Sequence, residues 1–331
     1  MTTLTKPNFL GDIAFNADGR STPFDLPLNS QWWGLQLDLT ATIASTDAAA
    51  VALQDGVLAL IREITVETSA GPEGKVDPRE IRRIIQILRG TPPHLQEHPG
   101  GAVTTEIQAK IEIPFAHMRS FFPRASLLDS RARNKAVLSL NWGDKDDVLS
   151  GNQSLISFSV APNIGVSILE DESSIGPTHR VQWISDIRTI TGASDRFKVA
   201  LQSGPLVHVR RVLVVGIDNG IRSDAIIENV SVEFGTRNVQ IDKPFLNLRR
   251  DNKSVYQIED AAFAEMTGIV LIDFDEDMSG LNVPRVPRSV QPELVLDVGA
   301  PTGVSEVRVL QEIGTMTRKG LRNNRRNRGA A

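Results

Sequence analysis

The sequence predicts an all-β protein with a few short helices, on three observations. Apolar residues alternate with period two along much of the chain, proline and glycine interrupt that alternation often, and the segments so marked follow one another without the intervening helices of a parallel α/β sheet. Many short strands in this pattern close into a sandwich or a barrel. At 331 residues the chain exceeds one small module and fits two domains or one large β domain.

Leu35, Leu37, Leu39, Ala41 and Ile43 alternate through GLQLDLTATI, and Ile107, Ala109, Ile111 and Ile113 through EIQAKIEIPF, each reading as a strand with one buried face. Further strands are predicted at 57–68, 136–142, 155–160, 164–169, 207–217, 226–234, 268–274, 293–298 and 305–313. One helix interrupts them. Asp77 is an N-cap, Pro78 occupies the first turn, Glu80 completes a capping box, and Gly90 follows as the C-terminal stop. Ile81, Ile84, Ile85 and Leu88 between these signals make one apolar stripe, expected to pack on a sheet as core.

The chain also matches itself. REITVETSAG at 62–71 aligns with ENVSVEFGTR at 228–237, placing Ile64 on Val230 and Val66 on Val232. A helix candidate follows each, the second opening at Asp242–Pro244 and running through PFLNLRRDN. IEIPF at 111–115 then matches VLIDF at 270–274, LSLNWG at 138–143 matches LVLDVG at 294–299, and GVSILE at 165–170 matches EVRVLQE at 306–312. Strands share alternation by default, so each match alone is weak. Four in the same order, with a helix in the same slot, indicate an internal duplication whose loops differ in length.

These residues carry a resemblance. The stretch SLLDSRARNKAVLSLNWGDKDDVLSG (126–151), the pattern DGVLALIREITVETSAG followed by an inserted helix, and GIVLIDFDEDMSG with VPRSVQPELVLDVGAP in the second half resemble double jelly-roll major capsid proteins of tailless icosahedral phages with an internal membrane, the tectivirus-like and corticovirus-like coats. The likeness spans roughly 10–316 and consists of strand patterns without invariant chemistry. It implies an arm at 1–9, a first jelly roll at 10–172, a second at 180–316 and a tail at 317–331. It further implies a trimeric, pseudo-hexagonal capsomer tiling an icosahedral shell, with the chain itself and minor capsid proteins as partners, in a virion assembled in the host cytoplasm. The loops are short, so the tower-like insertions of larger members are expected to be missing.

The net charge is −4, yet Arg318, Lys319, Arg322, Arg325, Arg326 and Arg328 crowd the last residues, leaving about −10 on the remainder. So acidic a body is no general nucleic-acid surface, and any affinity for polyanions falls to this tail, interleaved with Asn and Gly and without apolar periodicity. The family resemblance turns the tail towards the shell interior, where internal membrane lipids or the genome would meet it. The plainer alternative is a solubilising end.

There is no cysteine, which excludes disulfides, thiolate metal sites and cysteine nucleophiles. The N-terminus lacks an apolar signal core, and no stretch approaches the length of a membrane span. No GxSxG, Walker A or GxGxxG motif appears, and one tyrosine with few aromatics under-supplies a sugar groove. No catalytic residue is therefore assigned. His94 and His98 have metal-like spacing, but Pro92, Pro93, Pro99 and Gly100 exclude the helix that would align them. Asp273, Asp275, Glu276 and Asp277 resemble the start of a calcium loop, with Met278 where glycine belongs and Pro284 where glutamate belongs. A solvated strand-end turn is the first reading there, and Ca2+ held by Asp273, Asp275 and Asp277 the second. The enzymatic alternative to a coat is a glycoamidase on a tandem jelly-roll scaffold, whose acids would line a cleft; a phage tail or spike protein, which would lack the duplication, is a third.

Overall fold

The computed structural model describes residues 7–17, 19–119, 123–171, 177, 179–204, 207–235, 239–275 and 291–316. The chain divides into two compact units, one of 1–82, 92–116 and 127–176, the other of 83–91, 117–126 and 177–331. Each is described by itself.

The first unit has eight principal strands: β1 (Pro7–Ala14), β2 (Phe24–Asp25), β3 (Gln31–Ser45), β4 (Ile61–Thr68), β5 (Gly71–Val76), β6 (Thr104–Pro114), β7 (Ala136–Trp142) and β8 (Ile156–Asp171). They pair antiparallel in the order β1-β8-β3-β6 and in the order β5-β4-β7-β2. Leu35, Leu37, Leu39, Ile111, Ile113, Ile164, Val166 and Ile168 of the first group are buried, as are Ile64, Val66, Leu138 and Leu140 of the second. The two face each other, since a Cβ on Gly74 would lie 3.8 Å from Ile113. Two sheets with this connectivity form a jelly roll.

The second unit has eight principal strands of its own among the described residues: β9 (His179–Ile190), β10 (Ser194–Ala200), β11 (Val207–Asp218), β12 (Ile227–Phe234), β13 (Val239–Pro244), β14 (Ile269–Asp273), β15 (Pro292–Val298) and β16 (Ser305–Met316). Their antiparallel orders are β9-β16-β11-β14 and β13-β12-β15-β10. Adding eight to each strand of the first unit reproduces the second. One apolar cluster joins its two sheets through Val212, Val214, Val270, Ile272, Val307 and Val309 on one side and Val230, Val232, Leu294 and Leu296 on the other.

The duplication extends to register. Leu138 faces Val66 and Leu140 faces Ile64, as Leu294 faces Val232 and Leu296 faces Val230. Leu37 faces Ile111 and Leu35 faces Ile113, as Val214 faces Val270 and Val212 faces Ile272. The matched segments 165–170 and 306–312 differ in length and leave their alignment open; the ladders settle it, because Val166 faces Leu37 and Val309 faces Val214.

The described residues also form four α-helices: α1 (Gly56–Ala59), α2 (Pro78–Arg89), α3 (Phe245–Tyr256) and α4 (Asp260–Ala264). α1 replaces the start of the strand predicted at 57–68. The run Val57-Leu58-Ala59-Leu60-Ile61 suits a buried helical turn as well as a strand, and periodicity cannot separate them. α2 has the predicted bounds, with the Asp77 carboxylate accepting the Arg79 N–H at 2.8 Å and Gly90 left-handed at φ 78°. It is not one-sided, however: Arg82, Arg83 and Gln86 are buried together with its isoleucines. Arg82 donates to the Pro93 carbonyl at 3.2 Å and Arg83 to Gln86 at 2.8 Å, so each buried guanidinium keeps a hydrogen bond. α3, between β13 and β14, holds the slot that α2 holds between β5 and β6.

The segments predicted at 155–160 and 164–169 are one strand, β8, whose pairing shifts around Pro162. β1 starts at Pro7, inside the expected arm 1–9. β1, β2, β5, β9, β10 and β13 escaped the strand prediction. β1, β2, β10 and β13 are outermost in the order of their own unit, where a strand is less fully packed and its alternation weakens.

Candidate functional site

The described residues of the second unit contain a chain of buried ionisable groups. β11 reads VHVRRVLVVGID, with two arginines inside an apolar strand. Consecutive residues of a regular strand face opposite ways, but the pairing with β16 shifts between Val209 and Arg211, and Arg210 and Arg211 are both buried. Arg211 donates to Glu312 of β16 at 2.7 Å and to Asp273 of β14 at 2.9 Å. Tyr256 at the end of α3 donates its hydroxyl to Asp273 at 2.7 Å. Arg210 pairs with Asp275, whose backbone N–H donates to the Asp273 carboxylate at 2.8 Å.

His117 ends the chain. Its Nδ1 lies 2.7 Å from Glu312 Oε1, its backbone N–H donates to Ser126 Oγ at 2.7 Å, and its ring lies 6.4 Å from that of His179 on β9. Arg119, two residues on, stacks its guanidinium 4.8 Å from the Tyr256 ring centre.

Burial sets the protonation states. It drives His117 down to about 4, outweighing the hydrogen bond and charge of Glu312 that act to raise it. Ion-pair distance notwithstanding, the imidazole is neutral at pH 7 and donates Nδ1–H to the carboxylate. Burial would raise Glu312, but Arg211's charge, then the His117 bond, hold it well below the usual carboxylate range. Burial likewise opposes the Arg211 charge, and Glu312 with Asp273 more than restore it. Burial and the Asp273 charge push Tyr256 up, so its hydroxyl stays protonated. The groups bond to one another, and His117, Arg210, Arg211, Asp275 and Glu312 are buried, an arrangement that holds chain segments together.

Asp273 and Asp275 of the candidate calcium loop thus hold arginines, and Asp277 lies outside the described residues, as do Arg318, Lys319, Arg322, Arg325, Arg326 and Arg328. Among the described residues no three histidine, aspartate or glutamate side chains form a metal-binding group. His98 is a buried loop residue, its Nδ1 accepting from Gly100 N–H at 3.0 Å and its Nε2 facing the Val103 carbonyl at 3.3 Å, while His94 is exposed. Sequence reading missed His117, Arg210, Arg211, Tyr256 and Glu312. The available signal was charge inside apolar strands, at VRRV and LQEI.

No protein-family model and no curated protein sequence matches the chain. Solved structures do. The major capsid protein of Sulfolobus Turreted Icosahedral Virus superposes with a TM-score of 0.70 at 15% identity, over 94% of this chain and 96% of that one. Major capsid protein P2 of bacteriophage PM2 gives 0.62 at 10% identity, over 95% and 99%. VP54 of PBCV-1 gives 0.59 at 8% identity, over 94% and 93%. Two jelly rolls of one topology in tandem, matched over nearly the whole of each chain, give this protein the double jelly-roll fold of viral major capsid proteins.

Proposed function

We propose that the chain is a major capsid protein, a structural component of a virion without catalytic activity. The observation that carries this is the pair of jelly rolls with identical strand order, matched end to end by coat proteins with little added or missing. In this reading three copies form a pseudo-hexagonal capsomer, two similar sandwiches per copy supplying six similar wedges, and capsomers tile an icosahedral shell over an internal membrane. Minor capsid proteins join the shell, and the basic tail meets lipid headgroups or genome.

The decisive measurement is the mass of the purified full chain, followed by electron microscopy after concentration. A coat gives three times 36.2 kDa and then shells or hexagonal arrays. A monomer at every concentration overturns the reading.

A further inference from the structure

The second unit holds a titratable group with no accommodation for its own charge. His117 is buried, and its one satisfied ring nitrogen, Nδ1, is spent on Glu312. A second proton must enter at Nε2, which has no hydrogen-bond partner. That nitrogen lies against Gly314: a Cβ there would sit 3.4 Å from it and 3.5 Å from Arg210 Cδ. The groups around the ring come from every neighbouring element. Glu312 stands on β16, Arg210, Arg211 and His208 on β11, and His179 on β9. Asp273 and Asp275 lie at the end of β14, Tyr256 on α3, and Arg119 and Ser126 on the segment that carries His117. Arg210 and His179 repel a new positive charge, and the one adjacent carboxylate is already shared with Arg211.

We propose that His117 is an acid-operated latch: a proton taken up at Nε2 breaks the hold of His117 on Glu312 and Gly314 of β16 and loosens the second jelly roll. The sign follows from linkage. In the unfolded chain His117 titrates near 6.5, and in the folded chain near 4. Acid therefore loads the unfolded form first. Stability is unaffected by this group above about pH 6.5, falls as the pH drops from there to about 4, and is level below. Between pH 7.5 and 4.5 the shift amounts to about a hundred-fold fall in the folding equilibrium constant. The inference concerns the folded chain and holds whether or not that chain forms shells.

The test is urea unfolding of the full chain at pH 7.5, 6.5, 5.5 and 4.5, for the wild type, His117→Asn and His179→Asn. Asparagine places an N–H where Nδ1–H stood and cannot titrate. The wild type and His179→Asn should each lose about a hundred-fold more than His117→Asn over this range. Amide exchange at residue 117, corrected for intrinsic rate, should accelerate at pH 4.5 in the wild type and in His179→Asn but not in His117→Asn. Equal acid sensitivity in the wild type and His117→Asn overturns the proposal, as does a loss that tracks His179 instead. Should His117→Asn fail to fold, a titration of the histidine ring signals in the wild type decides: His117 near 4 with lost amide protection supports the latch, and His117 near 6.5 with protection intact refutes it.

Discussion

Arg211 lies between two carboxylates, and both depend on it. Removing one partner of a buried ion pair leaves the other charged and unsolvated, a loss of about 3–5 kcal/mol. Arg211→Met, close in length but neutral, should therefore lower unfolding stability by about that much, read from urea midpoints at pH 7. A loss below about 1 kcal/mol would mean that water reaches Glu312 and Asp273. A second residue-scale device occurs once in each unit. Asp47, just beyond β3, accepts N–H groups from Asn152 at 2.8 Å and Ala49 at 2.9 Å, and these bonds lower its carboxyl below the ordinary range. Asp218, at the end of β11, accepts from Thr302 N–H at 2.9 Å and from the Thr302 and Ser305 hydroxyls, and is lowered too. Each carboxylate ties the exit of the third strand to the loop before the last. Asp47→Ala should speed amide exchange at Asn152 and leave Thr302 unchanged, while Asp218→Ala should do the reverse. Joint loosening in either variant would contradict independent clasps.

At the scale of elements, α2 and α3 fill one slot differently. α3 is amphipathic, burying Phe245, Leu248, Asn252 and Tyr256 and leaving Leu246 and Val255 exposed. Asn252 donates to the Leu271 carbonyl at 2.8 Å and accepts the Leu271 N–H at 2.7 Å, satisfying both polar backbone groups of one β14 residue. α2 is buried from Glu80 to Leu88. An acid within it has no solvated side to turn to, so Ile84→Asp should abolish soluble expression. The gentler Ile84→Val should fold and lose about 1 kcal/mol, measured by thermal or urea unfolding. Well-folded Ile84→Asp protein would show the face to be accessible.

For the molecule as a whole, the charge asymmetry makes the tail separable in principle. Deleting residues 318–331 removes six cations and no apolar periodicity. The truncated chain should keep its secondary structure and oligomeric mass, yet bind anionic vesicles and duplex DNA far less, with a shallower salt dependence. Titrating intact and truncated protein at two salt concentrations checks this. Equal binding by both would reduce the tail to a solubilising end.

The fold class, the duplication, the extent of α2 and the slot of α3 were legible in the chain, because each is a one-dimensional pattern: period two, period 3.6, capping signals and self-similarity. Central strands such as β3 and β11 announced themselves, while outermost strands such as β1 and β10 did not, since alternation is written only where packing demands it. The buried ionic chain was not legible. His117, Arg210, Tyr256, Asp273 and Glu312 are scattered over nearly two hundred residues; the antiparallel pairing of β11 with β14 and β16 brings the arginines to Asp273 and Glu312, and tertiary packing adds Tyr256 and His117. Tertiary structure alone also decided that both arginines are buried at the shift in the β11–β16 pairing and that α2 loses its solvent face. Local sequence sets which residues prefer water, but burial and charge compensation depend on what the rest of the chain brings alongside.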